Sequence, residues 1–260
     1  MRGILIGLAL LASSFVVGAQ SVPTLAMLDV TLARGESLPL VGRIELNLTT
    51  SDSALTLAEL KRWSGVEVMQ NEDGTLRLSI VRQPQMQDGY TEKDLLDTFV
   101  MDFTEASVLA VKDAYLESHP TLESVQQLAS FVSGFITQPT YVNGFNIASK
   151  VATQRSGDCT EYAVLTAALA RSLEIPARVV IGSVIIGAEN ELLGFGHAWT
   201  EVWFQNRWQI VDAALYGENR EQIYYLPASV IKNEGPGFMF GLAGIMNLMP
   251  HKLTNIRSVK

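Results

Sequence analysis

Cys159 is the only cysteine in a chain of 260 residues, so no intrachain disulfide can form. A lone thiol is open to oxidation and cross-linking. It is therefore either a small buried apolar side chain or a group kept for its reactivity, and its neighbours favour reactivity. In Ser156-Gly157-Asp158-Cys159-Thr160-Glu161, Asp158 fits the cap of a helix whose apolar and small face includes Tyr162, Leu165, Thr166, Leu169 and Leu173, and which stops before Pro176. Glu161 lies three residues on, where its carboxylate can return to the cap amide. Cys159 then falls in the first turn, where unpaired backbone N–H groups and the positive end of the helix dipole favour a thiolate. The Cys159 amide points beside its own sulfur and can receive an oxyanion. Asp158 and Glu161 add negative charge at the same place, so the thiolate needs a basic partner.

Three histidines are available: His119, His197 and His251. His119 precedes a proline and His251 lies in the tail, which marks both as surface residues. His197 begins His197-Ala198-Trp199-Thr200-Glu201-Val202-Trp203-Phe204, a run rich in strand formers. After Gln205-Asn206 comes Arg207-Trp208-Gln209-Ile210-Val211-Asp212. A two-residue turn at Gln205-Asn206 puts Phe204 opposite Arg207 and Trp199 opposite Asp212. His197 is then the diagonal neighbour of Asp212 on the same face. The carboxylate can hold one imidazole nitrogen and leave the other for a thiol, in the logic of nucleophile, base and orienting acid. A register slip of one residue would send Asp212 to the opposite face. Taken without the cysteine, the pair also reads as a plain surface ion pair.

Four blocks in this order resemble the transglutaminase-like superfamily of papain-related thiol enzymes. They are Gly157-Asp158-Cys159 at a helix start, Leu173-Glu174-Ile175-Pro176-Ala177-Arg178, Gly196-His197-Ala198-Trp199-Thr200-Glu201-Val202, and Trp208-Gln209-Ile210-Val211-Asp212. The similarity covers roughly residues 120 to 215. It implies an α+β fold with a papain/transglutaminase-like core, in which the helix carrying the cysteine packs on an antiparallel β-sheet. It also implies Cys159 as nucleophile, His197 as base and Asp212 as orienting group. Such enzymes place a second oxyanion donor upstream of the cysteine, for which Gln154 and Tyr141 are the candidates here. Trp199 is expected to shield the ion pair from water, and Arg178 to pair with a nearby carboxylate rather than with substrate.

The elements that must position these groups belong to an ordinary globular chain, 48% apolar and 18% charged. Its 19 basic against 27 acidic residues give a formal charge of −8, which argues against nucleic acid or anionic lipid as partner. Residues 1–19 have a basic start, a short apolar run and small residues ending at Ala19, the pattern of a cleaved export signal. The alternative is an uncleaved N-terminal anchor. No later run approaches the ~20 apolar residues of a membrane span. The expected location is periplasmic or secreted.

Residues 20–117 are expected to be a small α+β region of unassigned role. Within it a hairpin spans 66–69 and 76–81 around Asp73-Gly74, and a short helix runs from Leu55 to Trp63 with Ser53 as cap. A thiol-enzyme domain is expected over 118–232. Residues 233–260 form a Gly- and Met-rich tail, read as an apolar flap packed on the body, with a lid or partner surface as the alternative. No metal-ligand spacing or cofactor motif is present, so none is expected.

The chemistry these residues imply is acyl transfer at an amide or peptide bond through a thioester, with no cofactor. Hydrolysis is preferred over transfer to an amine, because no acceptor groove that would exclude water is visible. The substrate class is peptide or protein, with the peptide part of a cell wall included. Two other uses stay open: a non-catalytic peptide- or protein-binding module on the same fold, and a structural protein dimerised through its thiol. The sequence does not indicate an oligomeric state.

Overall fold

The computed structural model describes residues 26–140, 145–188, 190–218 and 222–259. The export-signal reading of residues 1–19 and the Tyr141 candidate lie outside the described residues. The fold is mixed α+β, with a short parallel pair of β6 (Gln138–Pro139) and β7 (Ser156–Gly157), and is built on two five-stranded, mainly antiparallel sheets. In the first, β9 (Glu191–Phe204) pairs along one edge with β8 (Ala177–Ala188), which pairs in turn with β11 (Ile223–Val230). The other edge of β9 meets β1 (Ala26–Met27) at Phe195 and Gly196, and β10 (Arg207–Val211) from Thr200 onward. Among the described residues no strand pairs with 197–199 on that edge.

The second sheet has the order β2 (Asp29–Leu32), β12 (Pro250–Val259), β3 (Arg43–Thr50), β5 (Leu76–Met86), β4 (Trp63–Gln70). It is antiparallel except where β12 runs parallel to β2. The expected hairpin is β4–β5, closed by a turn with Gly74 in the left-handed region. The short helix α1 (Ser53–Leu60) precedes it, but its cap is Asp52, whose side chain accepts from the Leu55 amide. Ser53 instead accepts from the Gln70 side chain. Asp is as good a cap as Ser, and here it stands one residue earlier with the non-helical backbone a cap needs. The tail supplies α6 (Phe238–Met246) and then β12, so one sheet joins residues from both ends of the chain and crosses the divisions expected at 117 and 232.

The two sheets meet through Ile44, Leu46, Leu78, Ile80 and Leu253 of the second and Ile185, Tyr224 and Leu226 of the first. Helices pack against the first sheet around Val179, Ile181, Ala198 and Val202: α2 (Ala106–Ser118), α3 (Gln126–Phe135), α4 (Ala148–Gln154) and α5 (Cys159–Ser172). Every residue of α5 is buried, because the sheet lies on one side of it and the other helices on the rest. A helix apolar and small all round requires such a central place. Leu165→Ala, which would open a cavity here, is expected to cost about 2–5 kcal/mol.

Candidate active site

Cys159 begins α5, where sequence places it. The Asp158 side chain accepts from the Thr160 amide at 2.8 Å and from the Thr160 hydroxyl at 2.7 Å. Glu161 completes the capping box, its Oε2 accepting from the Asp158 amide at 2.9 Å. Its other oxygen accepts from the Asn146 amide at 2.8 Å, tying a separate loop to the helix start. Burial, and then the Asp158 charge, push the Glu161 carboxyl up to about 7. The carboxyl therefore adds less negative charge beside the sulfur than its type suggests. Gly157 has φ +155°, and any side chain there would collide with the folded-back Glu161 side chain. The glycine is thus set by the cap that follows it.

The β9–β10 hairpin has the expected register, with Phe204 opposite Arg207 and Thr200 opposite Val211. Gln205 and Asn206 both take left-handed φ values, 54° and 61°, as a two-residue type I′ turn requires. Asp212 follows β10 directly, on the edge of β9 where, among the described residues, 197–199 pair with β8 alone. His197 Nε2 lies 2.8 Å from Asp212 Oδ2. The Thr200 hydroxyl donates to the Ala163 carbonyl at 2.7 Å, fastening the strand that bears His197 to the helix that bears Cys159.

His197 is 1% exposed, Asp212 2% and Cys159 not at all. Burial alone would lower the His197 pKa, but the charge and hydrogen bond of Asp212, followed by an interaction with Cys159, outweigh it and push the ring up to about 10. The imidazole is therefore a cation at neutral pH, a donor at both nitrogens. Nδ1 has no hydrogen bond of ordinary geometry among the described residues. With Nε2 committed to Asp212, Nδ1 is the nitrogen left for the sulfur. Burial would raise the Asp212 carboxyl, yet His197, then the Leu215 amide and the Tyr225 hydroxyl, hold it below the ordinary range, and three donors besides His197 meet it. Those donors are the Ala214 and Leu215 amides, 3.1 and 3.0 Å from Oδ1, and the Tyr225 hydroxyl, 2.9 Å from Oδ2.

Trp199 stacks beside His197 with ring centroids 6.3 Å apart and meets Tyr225 edge-on at 5.1 Å. Gly182 makes room for it: a side chain there would press on the Trp199 ring and on the β11 backbone at Leu226 and Pro227. Arg178 pairs with Glu201 at 2.6 Å beneath the Trp208 ring and is 7% exposed, engaged as expected with a carboxylate. Gln154 is the exposed last residue of α4. Sequence reasoning missed Tyr225. It lies on a different strand from the hairpin, and no spacing rule connects it to Asp212.

The profile of the Transglutaminase-like superfamily matches residues 110–213, a span that holds Cys159, His197 and Asp212. No curated relative matches the sequence. Among solved structures, the chain is similar to a proposed cysteine protease of Cytophaga hutchinsonii, at 15% identity and a TM-score of 0.41 over 80% of this chain and 76% of that one. It is also similar to the periplasmic domain of TgpA from Pseudomonas aeruginosa. The form bound to ethylmercury gives 18% identity and a TM-score of 0.43, covering 72% and 77% of the two chains. A second structure of that domain gives 19% and 0.41, covering 73% and 92%. No helix among the described residues is long and apolar enough to cross a membrane.

Proposed function

We propose, from the match of residues 110–213 to the profile of the Transglutaminase-like superfamily, that the chain is a thiol enzyme acting on amide or peptide bonds. Cys159 is the nucleophile, His197 the proton carrier and Asp212 the group that orients the ring. The observation that supports this reading is a buried imidazole 2.8 Å from a carboxylate and in electrostatic reach of the single thiol of the chain.

The thiolate attacks the carbonyl carbon, forming a C–S bond, and the oxyanion is received at the Cys159 amide. The imidazolium gives a proton to the departing amine nitrogen as the C–N bond breaks, and a thioester remains. The neutral imidazole then takes a proton from water, whose oxygen attacks the thioester, and the thiolate leaves. The products are a carboxylic acid and an amine. Hydrolysis is preferred over transfer to a second amine, since nothing in the sequence suggests a surface for holding an acceptor away from water. Substrates are peptides or proteins met outside the cytoplasm, cell-wall peptides among them.

Full burial of Cys159 means that a substrate reaches the sulfur only after local displacement. The same burial favours a second reading, a binding module that keeps the fold without turnover. An electrophilic peptide amide separates the two. Attachment to Cys159 that is lost in His197→Ala supports the enzyme, whereas folded protein that stays unlabelled supports the module.

A further inference from the structure

We infer that Tyr225 is a positioning residue of the site: its hydroxyl fixes the Asp212 carboxylate so that one oxygen is presented to His197. This inference rests on the reading of the site as a thiol enzyme. Asp212 is the first residue past β10, where strand pairing no longer fixes the backbone. Its carboxylate is held from two directions instead. The turn that follows supplies two amides to Oδ1, and β11 supplies the Tyr225 hydroxyl to Oδ2, the same oxygen that meets His197 Nε2.

Rotation about the Cβ–Cγ bond moves both oxygens together, and that torsion is broad. The two amides on Oδ1 restrain it from one side, and the Tyr225 hydroxyl on Oδ2 restrains it from the other, at the oxygen that meets His197. Tyr225 is itself held in place: it pairs with Val184 of β8, is 3% exposed and packs edge-on against Trp199, whose other neighbour is the His197 ring. Carboxylate and imidazole are thus braced by the same two aromatic side chains. The titratable groups acting on the ring are Asp212 and Cys159. Loss of the Tyr225 hydroxyl alone keeps the aromatic ring that packs on Trp199, so its effect on the imidazole passes through Asp212.

The alternative is a core tyrosine that has merely found an acceptor for its hydroxyl. Tyr225→Phe removes only that hydroxyl, and Tyr224→Phe is the control. Tyr224 is the next residue, and its hydroxyl donates to the Gly42 carbonyl on the other face of the sheet. Two measurements on the full chain decide: kcat and KM against a peptide amide, and the titration of the His197 ring by NMR. Positioning predicts that Tyr225→Phe lowers kcat on the order of 10-fold with KM changed less than about 2-fold. It also predicts that the ring titrates at a lower pH than in the parent, because a loosened carboxylate supports the imidazolium less. Tyr224→Phe should change neither.

Unchanged kcat and titration in Tyr225→Phe, with only a fall in melting temperature, would overturn the inference. So would a ring titrating at higher pH, which would mean that the phenol competes with His197 for the oxygen rather than placing it. The ring titration needs no turnover. If Cys159→Ala keeps full activity, the thiol-enzyme reading fails, and the NMR result still decides whether Tyr225 sets the Asp212–His197 geometry.

Discussion

Asp212 and Glu45 are both carboxylates gripped by several donors at near-ideal distances, and they sit in opposite settings. Asp212 holds His197 at 2.8 Å in a place where each partner is at most 2% exposed. Glu45 is shared by Arg77, at 2.9 Å, and Arg257 on the outer face of the second sheet, where the arginine side chains are about half exposed at 46% and 50%. Distances alone would rank the two clusters as equals. Water separates them: the surface cluster is screened and replaceable, while the buried one has no solvent to fall back on. The buried one is also the cluster whose imidazole feels the charge of the thiol group. The helix-and-hairpin half of the molecule concentrates buried polar groups that must be matched to one another, and the outer sheet face carries charges that need only stay soluble.

The largest break in this symmetry should appear in turnover. Cys159→Ala or His197→Ala is expected to lower kcat by roughly 10⁴-fold or more, with unchanged circular dichroism, against less than 2-fold for Arg257→Ala. Asp212→Asn should follow at about 10²- to 10⁴-fold, because the amide can no longer hold the ring as a cation.

Stability should show the same contrast at smaller scale. Asp212→Ala leaves the imidazolium buried and unpaired and is expected to cost about 3–5 kcal/mol in denaturant unfolding. Glu45→Ala should cost less than about 1 kcal/mol. Molar salt should erase the second cost and leave the first.

The pH dependence sharpens the comparison, since the shifted groups are buried. His197, raised to about 10, adds stability that is complete below its unfolded value near 6.5 and is lost as pH rises to 10. Glu161 and Glu201 are raised to about 7, chiefly by burial. The folded chain therefore keeps protons that the unfolded chain releases between pH ~4.3 and 7, and stability falls as pH climbs through that window. Asp212 is held low, so its contribution is lost only as pH drops below ~4. Melting temperature should peak near pH 5 and decline towards pH 10, with a shallower decline in Glu201→Gln. Activity should fall as pH approaches 10, where the imidazolium disappears.

The smallest effect belongs to the turn that sets the register. Asn206→Gly relieves a left-handed backbone at φ 61° and should raise stability by less than about 1 kcal/mol without altering kcat.

The half that holds the candidate site was legible because its constraints are local. Capping by Asp158 and Glu161 follows from three-residue spacing, and the hairpin register, which brings His197 to Asp212, follows from a two-residue turn. The second sheet was legible only as its β4–β5 hairpin. The strand that completes it, β12, comes from the far end of the chain, and pairing over some 200 residues leaves no periodic trace to read. The Gly- and Met-rich composition of residues 235–250 also masks the strand-forming run that begins at Pro250. Tyr225 stayed hidden for the same reason. The neighbouring Tyr224 and Tyr225 face opposite sides of one strand, and only the sheet's position shows which of the two meets a carboxylate.

The most direct test is intact-protein mass spectrometry after incubation with an electrophilic peptide amide. The account predicts one adduct per chain, mapped to Cys159 and absent in His197→Ala. It also predicts that labelling persists with the buried pair intact at high salt. No adduct on folded protein, or equal labelling of the His197→Ala variant, would contradict it.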